Sequence, residues 1–210
     1  MRPTSGAAAL EPATLDILRG VYVANLRDGR ATVSELSREL GTTPSSVRAA
    51  LKEASERKLL RVTKGSAELT PEGRRRLKVV MLGGAFEIIH PGHLGAISEA
   101  KRIGNTLVLV VATDESVEKN KGRPPVTDQA SRVALVSSLR QVDVALPGNK
   151  GSIYDILLKI RPDVVALGYD QRIGADEVVR EAARRGVKIT TARLGSAIPL
   201  VKTTKILFSM

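Results

Sequence analysis

Apolar positions along this chain change their spacing near residue 78. Before it they recur at helical intervals. Leu15, Leu18, Val21, Val23 and Leu26 follow one another near a 3.6-residue period across residues 10–26. Val33, Leu36 and Leu40 share one helical face, and Val47, Leu51 and Leu59 fall near another. After residue 78 the apolar residues form short continuous runs: KVVML (78–82), TLVLVVA (106–112), VDVAL (142–146), DVVAL (163–167) and VKITTA (187–192). Helical patterns lie between them, at roughly Leu94–Arg102, Asp128–Leu139, SIYDILLKI (152–160) and GADEVVREAARRG (174–186), and the segment between the second run and Asp128 reads as a long polar loop. Near-continuous Val/Leu/Ile strands alternating with helices predict a parallel sheet covered on both faces. Right-handed crossovers make it a doubly wound α/β sheet. Two domains are therefore expected, 1–77 and 78–210, joined by a linker as short as Arg74–Lys78.

The first half carries explicit punctuation. Thr32 and Glu35 form a capping-box pair ahead of an apolar stripe, and Gly41 suits the left-handed end of that helix. After a short link, Thr43 is the next cap and Pro44 takes the first helical position. LLRVTKGSAELT then alternates around Lys64-Gly65, as a two-strand hairpin does, and Thr70-Pro71 opens one more helix. Two short helices joined by a tight turn predict a helix-turn-helix. Its second helix would show Ser45, Ser46, Arg48 and Lys52 outward, where a recognition helix meets bases and phosphates, with Lys64 in the wing. Residues 10–77 resemble the winged helix-turn-helix domains of prokaryotic transcription regulators. That resemblance implies binding to double-stranded DNA; winged helices also serve as protein-binding or dimerisation modules.

Charge agrees with a polyanionic partner without selecting one. The net charge is +11, with 15 Lys/Arg against 9 Asp/Glu in residues 1–78 and 18 against 13 in the rest. A basic surface favours nucleic acid, nucleotides or phosphorylated substrates. Aromatic residues make up only 2%, which argues against a stacking platform for single-stranded nucleic acid. The absence of cysteine excludes disulfides and cysteine-bearing zinc sites. No run approaches membrane-spanning length and the N-terminus lacks a signal-peptide core, so a soluble cytoplasmic protein is expected.

In doubly wound sheets ligands bind beyond the carboxyl ends of the strands. Chemistry-bearing residues collect there: GGAFEIIHPGH after the first strand, TDESVEKNKGRPP after the second, GYDQR after DVVAL and RLGSAIPLVKTTKIL after the last. The first of these holds both histidines of the chain, His90 and His93, around Pro91-Gly92. Glycines at 83 and 84 let backbone approach a ligand closely. A helix start after them offers free N–H groups to an anion, and two imidazoles beside it can donate to phosphate oxygens. Lys121 and Arg123, in a flexible loop, can reach over a phosphate chain. Asp170, after Gly168-Tyr169, suits hydrogen bonding to a base or sugar, while Thr203 and Thr204 suit a helix cap that offers hydroxyls and N–H groups to phosphates. With no third histidine and no cysteine, no metal site is assigned to the protein itself.

The second half resembles the nucleotidyltransferase superfamily marked by His-x-Gly-His, and within it the cytidylyltransferase-like group. HPGH matches fully inside the longer pattern Gly-x-Phe-Asp-x-x-His-x-Gly-His, with Glu87 where that pattern has Asp. KNKGRPPV is similar to the group's substrate loop, KTTKIL to its closing Ser/Thr-rich motif, and LGYDQ to archaeal FAD synthetases. The resemblance implies a Rossmann-like fold that transfers AMP from ATP to FMN, with Mg2+ accompanying ATP. It implies His90, His93 and Lys121 as catalytic residues. Gly84, Ala85, Phe86, Pro91, Gly92, Gly168, Asp170, Thr203 and Thr204 would join the histidines around the nucleotide, and Asp114, Arg123 and Tyr169 would meet the second substrate. Two other readings stand beside it: a cytidylyltransferase using CTP and a small alcohol phosphate, and a transcriptional regulator whose second half senses a ligand. By analogy with both kinds of domain, a homodimer is expected.

Overall fold

The computed structural model describes residues 12–27, 29–169, 171 and 173–195. It divides into two compact units between Leu77 and Lys78. In the first unit, helix α1 (Pro12–Leu26) buries Ile17, Leu18, Val21, Tyr22 and Leu26. Helix α2 (Val33–Glu39) begins at the predicted capping box: Thr32 accepts from the Glu35 amide, and the Glu35 carboxylate accepts from the Thr32 amide at 3.1 Å. Gly41 takes φ +59°, ending the helix as its sequence position suggests. Helix α3 (Pro44–Glu56) starts from a Thr43 cap and buries Val47, Leu51 and Ala54. Strands β1 (Leu60–Thr63) and β2 (Ser66–Leu69) pair antiparallel, and helix α4 (Pro71–Arg75) follows a Thr70 cap. Lys64 and Gly65 both have positive φ, 50° and 75°, the backbone that a two-residue hairpin loop needs to match strand twist.

The second unit is one five-stranded parallel sheet. In chain order it contains β3 (Val79–Gly84), α5 (Pro91–Ile103), β4 (Thr106–Val111), α6 (Asp114–Lys121), α7 (Gln129–Ser137), β5 (Val144–Pro147), α8 (Ile156–Ile160), β6 (Val164–Leu167), α9 (Ala175–Arg184) and β7 (Thr190–Arg193). The strands lie side by side as β5-β4-β3-β6-β7, all neighbours parallel. The sheet therefore grows outward in one direction from β3 and in the other from β6, and the winding reverses between these two strands. In open α/β sheets ligands bind at such a reversal, outside the carboxyl ends of the strands. Strand alternation divides the core. Val80, Leu82, Leu107, Leu109 and Val111 pack with Ile97 and Ala100 of α5 and Val136 of α7. The alternate residues Val79, Met81, Val108 and Val110 are also buried, on the opposite face. Burial on both faces is why these strands read as unbroken apolar runs.

Three helices differ from the sequence reading, and β7 begins at Thr190, not Val187. Helix α5 begins at Pro91, not Leu94, so His90 is its N-cap residue and His93 lies in its first turn. The segment expected as a long loop contains α6, and Lys121 is the last residue of that helix, not part of a flexible loop. This helix buries only Val117, so it has no apolar stripe to announce it. Local signals hold it instead: a Thr113 cap, Asp114 and Glu115 in the first turn, Lys119 and Lys121 in the last, and Gly122 at φ +70°. Finally, α8 is confined to Ile156–Ile160, preceded by a turn. Among the described residues no helix is long and apolar enough to cross a membrane.

Candidate active site

Strand β3 ends in Gly83-Gly84, and the chain then turns sharply through Ala85 and Phe86. Phe86 is a non-glycine residue at φ +48°, and its ring is buried at 3% exposure. A β-carbon on Gly84 would come within 2.9 Å of that ring, so the turn needs glycine there for room. The Phe86 ring lies 5.4 Å from that of His93, and His93 stacks on His90 with centroids 3.9 Å apart and 27° between planes. Pro91 occupies the first position of α5, whose fixed φ suits a helix start. The two imidazoles thus lie together beside the amide end of a 13-residue helix, at the reversal point of the sheet. Gly84, Ala85, Phe86, His90, Pro91, Gly92 and His93 are brought into this one turn.

Glu87, which follows Phe86, is the most committed acid in the unit. Its carboxylate is fully enclosed and receives Lys121 Nζ at 2.5 Å and Arg123 Nη1 and Nη2 at 2.6 and 3.1 Å. The Val126 amide donates to it as well, at 2.8 Å. Burial pushes the carboxyl pKa up, but the hydrogen bonds from Arg123, Lys121 and Val126 outweigh it and hold the group down at about 2. It is a carboxylate throughout the neutral range. Lys121 and Arg123 were expected to extend over a phosphate chain; here both are anchored on Glu87 and remain partly exposed, at 26% and 35% of their side chains. Asp114, expected near the second substrate, receives Arg132 Nη2 at 2.6 Å and is 45% exposed.

Sequence reasoning missed the residues that fasten the strand ends to one another. Arg132 has no exposed surface. Besides Asp114 it donates to the carbonyls of Ala85 at 2.5 Å, Ala112 at 2.8 Å and Thr127 at 3.1 Å, so it joins the ends of β3 and β4. Gln129 Nε2 donates to Val111 O and Gly148 O, joining β4 to β5. Gln171 Nε2 donates to Gly83 O at 2.7 Å while its Oε1 accepts from the Gly168 amide at 3.1 Å, spanning the reversal point between β3 and β6. Arg193 donates to the carbonyls of Gly168, Gln171 and Ile173, joining β6 to β7. These bonds link all five strand ends on the edge that carries the histidines. The available signal was a Gln or Arg near a helix start or a strand end, which many surface positions share.

Gly168 is half-buried and Tyr169 is 45% exposed. Asp170, Thr203 and Thr204 lie outside the described residues. Among the described residues no group of three or more His, Asp or Glu could hold a metal ion. In the first unit, Ser45, Ser46, Arg48, Lys52 and Lys64 are all exposed. The hydroxyls of Ser45 and Ser46 lie 2.8 and 2.9 Å from Thr43 Oγ1, within the cap of α3.

Comparison with known proteins converges on the second unit. Residues 81–206 match the family described as cytidylyltransferase-like. An FAD synthase of Aciduliprofundum boonei is 41% identical over 115 residues, 55% of this chain and 76% of that protein. An FAD synthase of Pyrococcus horikoshii is 38% identical over 121 residues, 57% of this chain and 81% of the relative. Among solved structures, a Thermoplasma volcanium protein described as a lipopolysaccharide core biosynthesis protein superposes with a TM-score of 0.55 at 35% identity, covering 58% of this chain and 98% of that one. The His-Pro-Gly-His turn at the reversal of a parallel sheet and these matches lead to one conclusion: the chain is a nucleotidyltransferase belonging to the cytidylyltransferase-like family.

Proposed function

We propose that the second unit transfers AMP from ATP to FMN, releasing pyrophosphate and forming FAD. The observation that carries this reading is the stacked His90–His93 pair at the start of α5, on the reversal point that Gln171 of LGYDQ bridges. Similarity to proteins named FAD synthase supports ATP and FMN as the substrates. A phosphate oxygen of FMN attacks the α-phosphorus of ATP; the new P–O bond forms as the bond to the β-phosphate oxygen breaks. The attacking phosphate is already close to a dianion at neutral pH, so no general base is required. What the protein must supply is position and stabilisation of charge on the oxygens of the reacting phosphates. His90, His93 and the helix amides provide donors there, while Lys121 and Arg123 provide positive charge toward the triphosphate. Magnesium enters with ATP as part of the substrate. Glu87 and Asp114 already have cationic partners, so the ion is held chiefly by phosphate oxygens. Asp170, Thr203 and Thr204 retain the base, ribose and phosphate roles that the resemblance implies.

Purified protein with Mg2+, ATP and FMN is expected to release pyrophosphate and accumulate FAD, and to be inactive with CTP and glycerol phosphate. Turnover only with CTP and glycerol phosphate would replace the acceptor and the base together. Nucleotide binding without pyrophosphate release would make the unit a ligand sensor.

A second activity is favoured by the first unit. Helix α3 turns Val47, Leu51 and Ala54 inward and leaves Ser45, Ser46, Arg48 and Lys52 exposed, with Lys64 at the hairpin tip. We infer a winged helix that takes double-stranded DNA, α3 in the major groove and the hairpin on the backbone. A gel shift should show binding at low salt that weakens as salt rises. Arg48→Ala should reduce the slope of log affinity against log salt by about one, as expected for a lost phosphate contact. No shift at low salt would leave this unit as a protein-binding or dimerisation module.

A further inference from the structure

We propose that Glu87 is a positioning residue for nucleotidyl transfer: it gathers Lys121 and Arg123 into one preassembled cationic site and holds residues 121–126 beside the histidine turn. The inference goes beyond the assignment of Lys121 and Arg123 to phosphates, because it concerns the acid that makes them act together.

The geometry is unusually one-sided. A single enclosed carboxylate takes four donors, and all of them come from residues 34 to 39 positions later in the chain. Arg123 meets it with two guanidinium nitrogens, the planar arrangement that fixes direction as well as distance. Two cations this close would otherwise repel each other. With the carboxylate between them the cluster keeps a net charge of +1. Lys121 still has further N–H donors, and both cationic side chains stay partly exposed, so the cluster can meet an anion without first breaking up. Glu87 also lies three residues before the His90 cap, in the turn that Phe86 anchors in the core. Chain connectivity therefore delivers the cluster to the histidines. A glutamate reaches one methylene further than aspartate. Shortening it would pull the carboxylate away from at least one of its partners, since all are already at hydrogen-bond distance.

The proposal rests on nucleotidyl transfer and takes ATP as the working nucleotide; wild-type turnover with ATP, measured in the same experiment, tests that choice separately. The full-length chain and its Glu87→Gln, Glu87→Asp and Arg123→Ala variants would be compared by two readouts. The first is steady-state kinetics. Glu87→Gln should raise the KM for ATP about tenfold or more with a smaller change in kcat, and Glu87→Asp, which keeps the charge, should fall between it and wild type. The second readout does not depend on turnover: tryptic cleavage after Lys119 and Lys121, followed by mass spectrometry. Glu87→Gln and Arg123→Ala should both be cut there several-fold faster than wild type, and ATP should protect wild type most. Joined to Arg123→Ala, Glu87→Gln should add less than it does to wild type, because the two variants share the loss of the Glu87–Arg123 contact. Should Glu87→Gln fail to fold, Arg123→Ala tests the same contact from a half-buried surface position. The proposal is overturned if the folded variants keep KM and cleavage rates within twofold of wild type. It is overturned equally if Glu87→Gln and Arg123→Ala act independently, their effects multiplying in full.

Discussion

Replacing His90 with alanine is expected to lower kcat by roughly 100-fold or more, the scale on which removing one preorganised donor slows a reaction that develops charge. That corresponds to about 2.7 kcal/mol of lost transition-state stabilisation. The loss should appear in kcat and kcat/KM together, since the donor matters most when charge shifts onto the phosphate oxygens. Stability should change little. The His90 side chain makes no capping hydrogen bond to α5, so its removal costs the helix no side-chain cap. A thermal unfolding scan beside the kinetics separates the two effects. His93→Ala should cost a similar factor in rate but more stability, because His93 contacts both the His90 ring and the buried Phe86 ring. A His90→Ala enzyme that turns over within threefold of wild type removes this residue from the chemistry. Even as a neutral imidazole, each histidine keeps one N–H donor, so the mechanism does not depend on a protonated ring.

Replacing Arg132 with methionine is expected to produce the largest loss of stability, about 3 kcal/mol or more. Methionine fills part of the volume, so the experiment isolates hydrogen bonding from cavity formation. The ion pair with Asp114 contributes the smaller part, because that acid is 45% exposed and regains water when the arginine leaves. The larger part comes from the carbonyls of Ala85, Ala112 and Thr127, which lose a charged donor. Leaving such acceptors unsatisfied costs about 1–3 kcal/mol each where water cannot replace the donor. Hydrogen exchange of the β3 and β4 amides, read by mass spectrometry, should accelerate selectively. Turnover should fall as well, because Ala85 belongs to the turn that carries the histidines. Arg132→Lys should recover little: one ammonium cannot reproduce a planar guanidinium that serves three segments at once. Unchanged exchange in β3 and β4 would mean the sheet edge is held by its ladder bonds alone.

Both predictions concern the same edge of the molecule, at two distances from the reaction. His90 is expected to touch phosphate, whereas Arg132 holds the strand ends that place it. The chain of side-chain bonds through Gln129, Arg132, Gln171 and Arg193 explains how five short strands present a firm rim. These side chains donate to carbonyls at or just past the strand ends, where the ladder runs out. The same rim contains the glycines at 83, 84 and 168, so backbone is accessible where side chains would otherwise intrude.

Much of the architecture was written in local patterns. Unbroken apolar runs identified β3, β4, β5 and β6 because burial on both faces leaves no polar alternation, whereas β7 is an edge strand with no buried residue. Thr32, Thr43 and Thr70 marked helix starts because a cap is a contact within three residues. HPGH marked the histidine turn for the same reason: its glycine, histidines and helix start are contiguous. Helix α6 escaped because a short polar helix held by its ends has no apolar period. The roles of Glu87, Arg132 and Gln171 escaped for a different reason. Most of their partners lie 18 to 88 residues away, and an enclosed carboxylate or guanidinium reads in one dimension like any surface charge. The sequence by itself thus determined the buried strands, the caps and the histidine turn, each a property of neighbours along the chain. Only the tertiary structure decided which charges are spent on holding that turn and which remain for a substrate, because charges are paired by proximity in space.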